Sequence, residues 1–222
     1  MAKRSRPKAR QPITRERALD EAVRLADAGG LHELSMRKLA QRLGIEAMSL
    51  YHHVPNKDAI LDGMVDRVFA ELELPKPDGD WKRAMRARAH ALLGALRRHP
   101  WAVSLLESRR TPGPATLAHH DAVLGALRAG GLSLELTAHA YALLDSFIYG
   151  FAQQEQVLPF EAGDEVETQA LAKEFFAQLP PGAFPHLAEL TLGHVLEPGY
   201  TYAKEFEFGL ELILEGLERK RT

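Results

Sequence analysis

The 222-residue sequence contains no cysteine, which excludes disulfide bonds, thiolate metal sites and cysteine nucleophiles. It also has no apolar run near the roughly 18 to 20 residues that a membrane-spanning helix needs. Its first residues, "MAKRSRPKARQPITRER", lack the apolar segment of a secretory signal. We therefore expect a cytoplasmic protein without membrane contacts, in which only His and carboxylate side chains are available as metal ligands.

Alternating strand patterns, internal repeats and low-complexity tracts after the N-terminus are missing as well. Apolar residues make up 45% of the chain and charged residues 26%, a balance that can bury a core. Helical periodicity dominates the remaining pattern. The sequence thus predicts an all-α protein of about ten helices.

The charge is unevenly distributed along the chain. Residues 1–60 carry 12 Lys and Arg against 7 Asp and Glu, a net +5, so residues 61–222 must sum to −7 for the whole chain to reach −2. The N-terminal part is therefore the one suited to phosphates. Its first 13 residues predict a flexible basic arm, although a solvated tail without a role is the alternative; the basic residues are Lys3, Arg4, Arg6, Lys8 and Arg10.

Glycines, prolines and capping residues divide the first part into four predicted helices. Thr14, Ser35 and Asn56 are suitable N-caps, and Gly29-Gly30 and Gly44 are suitable stops. The predicted helices span 14–28, 35–43, 47–53 and 57–72. The segment "ELPKPDGD" then marks a boundary near residues 75 to 80, which gives predicted domains at 14–75 and 80–219.

The second predicted domain is a continuous series of helices. Ser133 is a suitable cap for a long apolar helix that ends near Val157. The other predicted helices span 81–98, 101–108, 115–129, 167–178, 184–195 and 200–219.

Residues 36–53 have the lengths of a helix-turn-helix, in which the second helix can enter the major groove of DNA. In that second helix only Leu50, with Ile45 before it and Val54 after it, is expected to be buried. The remaining side chains are left to project, and a helix that short does not stand alone. A plain helical hairpin with a solvated face is the alternative, as is a metal site at His52 and His53.

The projecting side chains suit distinct contacts to DNA. Ala47 and Met48 can touch a thymine methyl group, and Arg37 can reach a guanine. Tyr51, His53 and Lys57 can donate to phosphate oxygens, as can the backbone at the start of the helix that Lys57 begins.

An enzyme is the competing class of protein. His119-His120-Asp121 and the pair Glu135 and His139 are the available metal-ligand groups. Neither has the HExxH spacing that places two ligands and a base on one helix face, and neither a GxSxG turn nor a phosphate-binding glycine loop is present. We therefore expect no catalytic site, no cofactor and no bound metal.

The stretch "LSMRKLAQRLGIEAMSLYHHVPNKDAILDGM" resembles the DNA-binding domain of the tetracycline-repressor (TetR) family. The tetracycline-repressor-like branch is favoured by further segments, namely "WKRAMRARAHALLGALRRHPW", "GGLSLELTAHAYALL" and "FEFGLELILEGLERK". The resemblance covers residues 14 to 219. It implies a transcriptional repressor that binds a palindromic operator as a homodimer and is released by a small-molecule effector; a DNA-binding regulator without an effector is the alternative.

By that resemblance, eight residues occupy operator-contacting positions: Arg37, Ala47, Met48, Ser49, Tyr51, His52, His53 and Lys57. Ala47 and Met48 stand where the founding repressor has Gln and Pro. These are base-reading positions in the family, so we expect a different operator sequence.

The second domain is expected to bind the effector. Candidate lining residues are Leu92, Trp101, Leu105, Leu106, Arg109, Phe147, Phe151 and Gln154, and a wider set adds Tyr149, Phe175, Phe176 and Arg110. Membership of an ordinary core is the alternative for the apolar ones. Leu106 and Gln154 stand where the tetracycline repressor has a metal-binding His and a partner-subunit Glu, and Arg88 and Leu92 replace its drug-contacting Asn and Phe. A magnesium-tetracycline chelate is therefore not expected.

The last helix carries an apolar stripe in which Tyr202, Gly209 and Gly216 recur every seven residues. The predicted dimer contacts are Phe206, Gly209, Leu210, Ile213, Gly216 and Leu217. Glycine costs roughly 1 kcal/mol inside a helix, so two glycines indicate a packing requirement. Packing of the stripe within one subunit is the alternative.

Overall fold

A computed structural model describes residues 12–106, 108–109, 111–180 and 182–221, and its regular elements in these ranges are all helical. The all-α prediction is confirmed. The eleven α-helices of these ranges are α1 (Arg15–Gly29), α2 (Met36–Leu43), α3 (Ala47–Tyr51), α4 (Lys57–Ala70), α5 (Trp81–Arg98), α6 (Val103–Leu106), α7 (Pro114–Ala129), α8 (Leu134–Val157), α9 (Glu165–Ala177), α10 (Pro185–Leu190) and α11 (Ala203–Lys220). None of the described helices is long and apolar enough to cross a membrane.

Four of the helix starts are fixed by the predicted capping residues. The side chains of Thr14, Ser35, Asn56 and Ser133 each accept a hydrogen bond from a backbone N–H in the first turn of the helix that follows. At the end of α2, Gly44 adopts the left-handed conformation with φ 70°, which glycine takes without strain.

Some boundaries differ from the prediction. Two short 3₁₀ turns, Leu31–Glu33 and Pro100–Ala102, and one π turn, Thr191–Val195, interrupt segments that the sequence predicted as coil or as α-helix. Phe184 is left-handed with φ 56° and directly precedes Pro185, at which α10 begins. The last helix begins at Ala203 rather than at residue 200.

The first of two compact units contains the described residues up to Leu72 together with residues 98–119. Its core is formed by α1, α2 and α4. Gly63 on α4 lets that helix approach α1 closely, because a Cβ at this position would lie 2.6 Å from a methyl carbon of Leu19. The described residues of 98–119, which the sequence analysis placed in the second domain, belong to this first compact unit.

The second unit contains Glu73–Arg97 and the described residues from His120 onward. Its α8 and α11 pack against each other. At the start of α5, Trp81 Nε1 donates to Glu218 Oε2 at 3.1 Å, and a Cβ at Gly130 would lie 2.5 Å from Trp81. This tryptophan, on which part of the family resemblance depends, thus joins α5 to α7 and α11.

Candidate nucleic-acid interface and effector domain

Helix α3 presents most of its surface to solvent although it is only five residues long. Leu50, and Val54 just after the helix, are fully buried and anchor it to the first unit. Met48, by contrast, is 74% exposed. A helix of this length does not persist alone, so the two anchors hold an open face in place. The second helix of a helix-turn-helix is built in this way.

The eight predicted operator-contacting residues lie on adjoining elements: the start of α2, all of α3 and the turn after it, and the start of α4. We call this surface the recognition face; it consists of Arg37, Ala47, Met48, Ser49, Tyr51, His52, His53 and Lys57. Ala47 is half-buried and the others are exposed. Because α2 packs against α3, the residues of these two helices share one region of the surface.

Ion pairs within the first unit distinguish the three basic residues of α2. Lys38 pairs with Glu33, and Arg42 Nε lies 2.9 Å from Glu21 Oε1. Burial alone would raise the pKa of Glu21, but its hydrogen bonds from Arg42 and an arginine of α1 lower it. Among the described residues, no carboxylate lies within salt-bridge distance of Arg37. Arg37 thus differs from Lys38 and Arg42, the two cations of α2 that these carboxylates hold.

The N-terminus of α4 completes the recognition face. Asn56 Oδ1 accepts a hydrogen bond from the Ala59 backbone N–H at 2.8 Å, as its predicted capping role requires. The exposed Lys57 begins the helix. A helix N-terminus with a cation beside it suits a phosphate oxygen.

The two histidines after α3 are exposed and belong to the recognition face. In the ranges that the structure covers, no group of three or more His, Asp or Glu side chains is arranged to hold a metal ion. The arrangement therefore gives no support to a metal site at His52 and His53.

An acidic row on α4, formed by Asp58, Asp62 and Asp66, contacts Arg109 after α6 and Thr116 in the first turn of α7. Arg109 Nη1 lies 3.2 Å from Asp58 Oδ1 and 3.5 Å from Asp62 Oδ1. Asp66 Oδ1 accepts hydrogen bonds from Thr116, from its backbone N–H at 2.8 Å and from its hydroxyl at 3.0 Å. The helix that begins at the recognition face is thus attached along its length to residues beyond α5.

A buried histidine makes a second attachment within the first unit. His99 lies between two carboxylates, with Nδ1 2.7 Å from Asp27 Oδ1 and Nε2 3.0 Å from Glu71 Oε1. Trp101 Nε1 also donates to Asp27 Oδ1 at 2.7 Å. Burial alone would raise the pKa of Glu71, but hydrogen bonds from Arg98 and His99 lower it. These contacts join the chain after α5 to the ends of α1 and α4.

Several predicted effector-lining residues have structural partners in the first unit. The Trp101 N–H is used by Asp27, and Arg109 is held by the acidic row. Leu106 is half-buried.

Four members of the predicted lining set, taken over both units, are buried: Leu92, Trp101, Leu105 and Phe151. A direct effector contact from any of these residues stays a prediction, and Arg110 lies outside the described residues.

In the second unit, the predicted lining aromatics form an internal ring cluster. The Phe206 ring centroid on α11 lies 5.3 Å from that of Phe147 and 5.0 Å from that of Phe151. Gln154 is exposed, and its Oε1 accepts a hydrogen bond from the Tyr202 hydroxyl at 2.7 Å. These residues therefore contribute to the packing of α8 against α11, which is the alternative that the sequence analysis left open for them.

A cluster of five polar side chains lies in the second unit, and the sequence analysis did not predict that these five residues lie together. This polar cluster consists of Arg88 on α5, His120 on α7, and Tyr141, Asp145 and Tyr149 on α8. Arg88 Nη2 donates to Asp145 Oδ1, and their side chains are only 2% and 9% exposed. The Tyr149 hydroxyl donates to Asp145 Oδ2 at 3.4 Å. The His120 and Tyr141 rings meet edge to face, with centroids 5.5 Å apart.

Burial controls the ionisation of this cluster. It lowers the pKa of His120, an effect that Asp145 opposes and Arg88 reinforces. It also raises the pKa of Tyr149. Both rings are therefore neutral at neutral pH, and the formal charges that remain are those of Arg88 and Asp145. A carboxylate inside the apolar stretch "YALLDSFIYG" was the sequence signal that could have revealed the cluster.

Burial divides the predicted dimer stripe of α11. Phe206, Leu210 and Leu217 are buried within the subunit, which favours the alternative of packing within one subunit; a dimer contact from these three residues stays a prediction. Gly209 also serves internal packing, because a Cβ there would lie 2.6 Å from the Phe147 ring. The predicted stripe thus contains residues that pack within the subunit and, at its edge, Gly216, which has open space around it.

The outward face of α11 carries other apolar residues. Phe208 is 69% and Leu212 is 61% exposed. Of the predicted dimer residues, Ile213 is half-buried, while Gly216 is exposed and has open space around it. Phe208 and Leu212 were not part of the predicted stripe, because they lie on the other side of α11 from Phe206 and Leu210.

A groove of about 450 Å³ lies in the second unit beside the start of α11. None of the predicted effector-lining residues borders it. Its lining residues are His194, Glu197, Pro198, Gly199, Tyr200, Lys204, Glu205 and Phe208.

Two family models match the chain. Residues 18–64 match the bacterial regulatory proteins of the tetR family. Residues 74–221, more than half of the chain, match the tetracyclin repressor-like C-terminal domain. The first match includes all eight residues of the recognition face, and the second includes the polar cluster.

Curated relatives match over nearly the whole sequence. The HTH-type transcriptional repressor DrrR1 of Streptomyces coeruleorubidus is 37% identical over 216 residues, which cover 93% of this chain and 77% of that protein. The tetracycline repressor protein class A from transposon 1721 of Escherichia coli is 30% identical, with 95% of this chain and 92% of that protein covered.

Solved structures of the TetR family protein ActR from Streptomyces coelicolor have the same fold. The complex of ActR with actinorhodin is 33% identical to this chain and has a TM-score of 0.78, with 95% of this chain and 99% of ActR covered. The complex with (S)-DNPA is 31% identical, with the same TM-score of 0.78 and the same coverage of 95% and 99%. The helix-turn-helix geometry, the two family models and these relatives agree that the chain belongs to the tetracycline-repressor (TetR) family of bacterial transcriptional regulators.

Proposed function

We propose that the protein is a transcriptional repressor that binds a palindromic operator as a homodimer and leaves it when a small-molecule effector binds the second unit. The observation that carries this proposal is the recognition face, an exposed surface on a short helix anchored by Leu50 and Val54. Such a protein acts in the cytoplasm, on the chromosome when bound to its operator.

On this proposal the recognition face divides by task. Arg37, Ala47 and Met48 choose bases, since these side chains can meet base edges or thymine methyl groups in a major groove. Tyr51, His53 and Lys57 contact phosphates and set the register of the protein on the duplex. Two recognition faces related by a two-fold axis match half-sites about one helical turn apart.

Selection of bound fragments from the native genome tests the DNA-binding part. We expect enrichment of a palindrome, with affinity that falls steeply as the salt concentration rises, because bound counterions are released from the DNA. Enrichment of unrelated sequences without two-fold symmetry would contradict the operator proposal. The genes beside the enriched sites would also indicate which compounds to test as effectors.

We assign the dimer contact to the outward faces of α11 and α8. Phe208 and Leu212 on α11 and Leu143 on α8 are exposed large apolar side chains, and contiguous exposed apolar surface is typical of interaction sites. The open space at Gly216 allows another helix to approach. This assignment adds exposed residues to the buried ones that the sequence analysis selected.

Sedimentation velocity tests the dimer contact. Leu212→Glu places a charge at the proposed contact and is expected to give monomers at concentrations where the wild type is dimeric. Glu215→Gln, which also changes an exposed residue of α11, is the matched control and is expected to remain dimeric. A dimeric Leu212→Glu protein would place the contact elsewhere.

For the effector, the ActR structures give the first compounds to test, because ActR is in complex with actinorhodin in one and with (S)-DNPA in another. We expect one of these ligands or a related compound to release the operator fragment. Tetracycline with magnesium is expected to have no effect, because Leu106 and Gln154 stand where the tetracycline repressor has its metal-binding His and a Glu. Release by the magnesium chelate would contradict this expectation.

A regulator without an effector is the second candidate. The packing of Phe147 and Phe151 against Phe206 favours it, because these predicted lining residues are already occupied. Native mass spectrometry of the purified protein separates the two candidates. A co-purified small molecule supports an effector, whereas a bare protein that no tested compound releases from DNA supports the second candidate.

The attachments of α4 give the proposed response a physical route. Lys57 at the start of α4 lies on the recognition face, and Asp66 farther along the helix holds Thr116. An effector that shifts residues 98–119 would therefore shift α4. An effector with a preference of roughly 1.4 kcal/mol for one conformation would change operator affinity about tenfold.

A further inference from the structure

Met48 places a thioether sulfur on the recognition face. Its side chain is 74% exposed, whereas Leu50 and Val54, which anchor α3, are fully buried. Because most of the Met48 side chain is already in water, it contributes little to the core of the first unit. A chemical change at this sulfur is therefore compatible with the fold.

The other methionines of the described residues are less accessible than Met48. Met64 and Met85 are buried, at 0% and 1% exposed, and Met36 is half-buried. An oxidant reaches a buried thioether only when the chain opens locally. The sequence also contains no cysteine, whose thiolate would compete for the oxidant. Among the described residues, an oxidant that attacks sulfur therefore meets Met48 first.

The reaction of Met48 with a hydroperoxide is a two-electron oxygen transfer. A lone pair of Sδ attacks the outer oxygen of hydrogen peroxide, and the O–O bond breaks as the S–O bond forms. The departing hydroxide takes the proton of the transferred oxygen and leaves as water. The sulfur is oxidised to a sulfoxide and the peroxide is reduced. Methionine sulfoxide reductases return such a sulfoxide to the thioether.

Oxidation changes what this position can contact in a major groove. As a thioether, Met48 suits an apolar group such as a thymine methyl. A sulfoxide oxygen that is pressed against a methyl group loses its water without gaining a hydrogen bond, which is unfavourable. A homodimer presents the position twice, so the effect on affinity is compounded. The oxidised protein should therefore bind its operator more weakly.

We propose that Met48 is a site of reversible oxidation by hydroperoxides and that its sulfoxide releases the protein from the operator. This inference rests on the proposed function, because it requires the recognition face to meet the operator at Met48. It adds a second input to the regulator, one that acts directly on the DNA-binding surface and needs no effector in the second unit.

Peptide mass spectrometry tests the site itself. The full chain is treated with hydrogen peroxide under native conditions, and the sulfoxide at each methionine is followed over time. We expect Met48 to be oxidised before Met36 and before the two buried methionines, while the helical circular dichroism signal stays unchanged. Equal rates at Met48 and Met36, or a loss of helical signal as Met48 is oxidised, would overturn the proposal.

Fluorescence anisotropy tests the consequence for DNA binding. The probe is a duplex that carries the palindrome recovered by the genomic selection. We expect the oxidised wild type to bind it roughly tenfold more weakly than the untreated protein. Reductases for both sulfoxide epimers, MsrA and MsrB, should restore the affinity. An unchanged affinity after oxidation, or a loss that the reductases do not reverse, would contradict the proposal.

Two leucine variants assign the effect to one sulfur. Met48→Leu keeps an apolar side chain without the thioether, so peroxide should not change its affinity although every other methionine, including Met1 outside the described residues, is present. Met36→Leu is the matched control and should lose affinity on oxidation as the wild type does. Each protein is compared with its own untreated sample. A peroxide effect that survives in Met48→Leu or disappears in Met36→Leu would refute the role of Met48.

The wild type supplies a second reading if Met48→Leu binds DNA too weakly to measure. Its loss of affinity should follow the fraction of Met48 that is oxidised, and not the fraction of Met1 or Met36; the opposite result would overturn the proposal. The untreated wild type separates this inference from the proposed function. If it does not prefer the palindrome to an unrelated duplex, the proposed function fails; if it does and peroxide has no effect, only the oxidation proposal fails.

Discussion

Asp66, in the third turn of α4, caps the first turn of α7 through Thr116. A single carboxylate oxygen, Oδ1, accepts both the Thr116 backbone N–H at 2.8 Å and the Thr116 hydroxyl at 3.0 Å. Gly113 also approaches this carboxylate, since a Cβ there would lie 2.2 Å from Asp66 Cγ. Gly113 and the start of α7 therefore pack closely against the Asp66 side chain of α4, the helix that begins at the recognition face.

Removal of this cap should destabilise the first unit. Asp66→Ala leaves two donors of Thr116 without their acceptor, and we expect the free energy of unfolding to fall by about 1 to 3 kcal/mol. Urea unfolding followed by circular dichroism measures the change. Asp58→Ala, in the same acidic row but largely exposed, should change the free energy of unfolding by less than about 0.5 kcal/mol. If the two variants lost equal stability, the hydrogen bonds of Asp66 to Thr116 would not stabilise the first unit more than the exposed Asp58 does.

Lys57 is expected to act on DNA through charge alone. Lys57→Ala should weaken binding to the operator and to unrelated DNA by similar factors, and should reduce the slope of log affinity against log salt by about 1. Fluorescence anisotropy at several salt concentrations gives both quantities. Lys173→Ala, an exposed change on α9, is the matched control, and a slope that Lys57→Ala leaves unaltered would refute the phosphate contact.

Met48 and Arg37 are expected to act on sequence preference instead. Met48→Ala removes the most exposed apolar side chain of α3, and Arg37→Ala removes the cation of α2 that lacks a carboxylate partner. Each should relax the preference at one base position in each half-site, by about 1 to 3 kcal/mol for a bidentate arginine contact and less for a methyl contact. Competition against a set of single-base operator variants shows the change; uniform weakening across the set would instead indicate a phosphate role.

Sequence reasoning succeeded where local chemistry decides the structure. Thr14, Ser35, Asn56 and Ser133 begin helices because each offers an oxygen to a first-turn N–H, a requirement that is visible in the chain itself. The anchoring of α3 by Leu50 could likewise be predicted, because its neighbours are polar or small. The operator contacts stay predictions, since they depend on a partner.

Sequence reasoning was weaker where two helices had to be placed against each other. The stripe of α11 was correctly recognised as apolar, but periodicity does not say whether Phe206 or Phe208 faces inward. In the folded chain Phe206 is buried against Phe147 and Phe151. These contacts, which the sequence does not contain, show that Phe206 is the residue that faces inward. Arg88 and Asp145 are 57 residues apart, so their pairing also required the fold.

Stability should depend on pH through His120. Burial lowers the pKa of this histidine from its ordinary 6.5, so above pH 6.5 the ring is neutral in both the folded and the unfolded chain. As the pH falls through 6.5, the unfolded chain takes up the proton first, and the free energy of unfolding should fall. In His120→Gln this part of the decline should disappear. The free energy of unfolding of His120→Gln is measured by urea unfolding at a series of pH values from about 8 to 5. His139→Gln, at an exposed histidine, is the control. If the curves of free energy against pH were parallel for His120→Gln and the wild type, His120 would not be the source of the decline.

Two glycines in helix interiors should respond in opposite directions to the same substitution. Gly63→Ala places a methyl group 2.6 Å from the buried Leu19 side chain, so α1 and α4 must separate or Leu19 must leave its rotamer, at a cost of about 1 to 3 kcal/mol. Gly125 on α7 has open space around it, so Gly125→Ala meets no neighbour and should stabilise the protein by about 0.5 to 1 kcal/mol through its higher helix propensity. Chemical unfolding of both variants measures the two changes. If Gly63→Ala were as stable as Gly125→Ala, the close approach of α1 and α4 would not constrain this position, and the first unit would be able to repack around a methyl group.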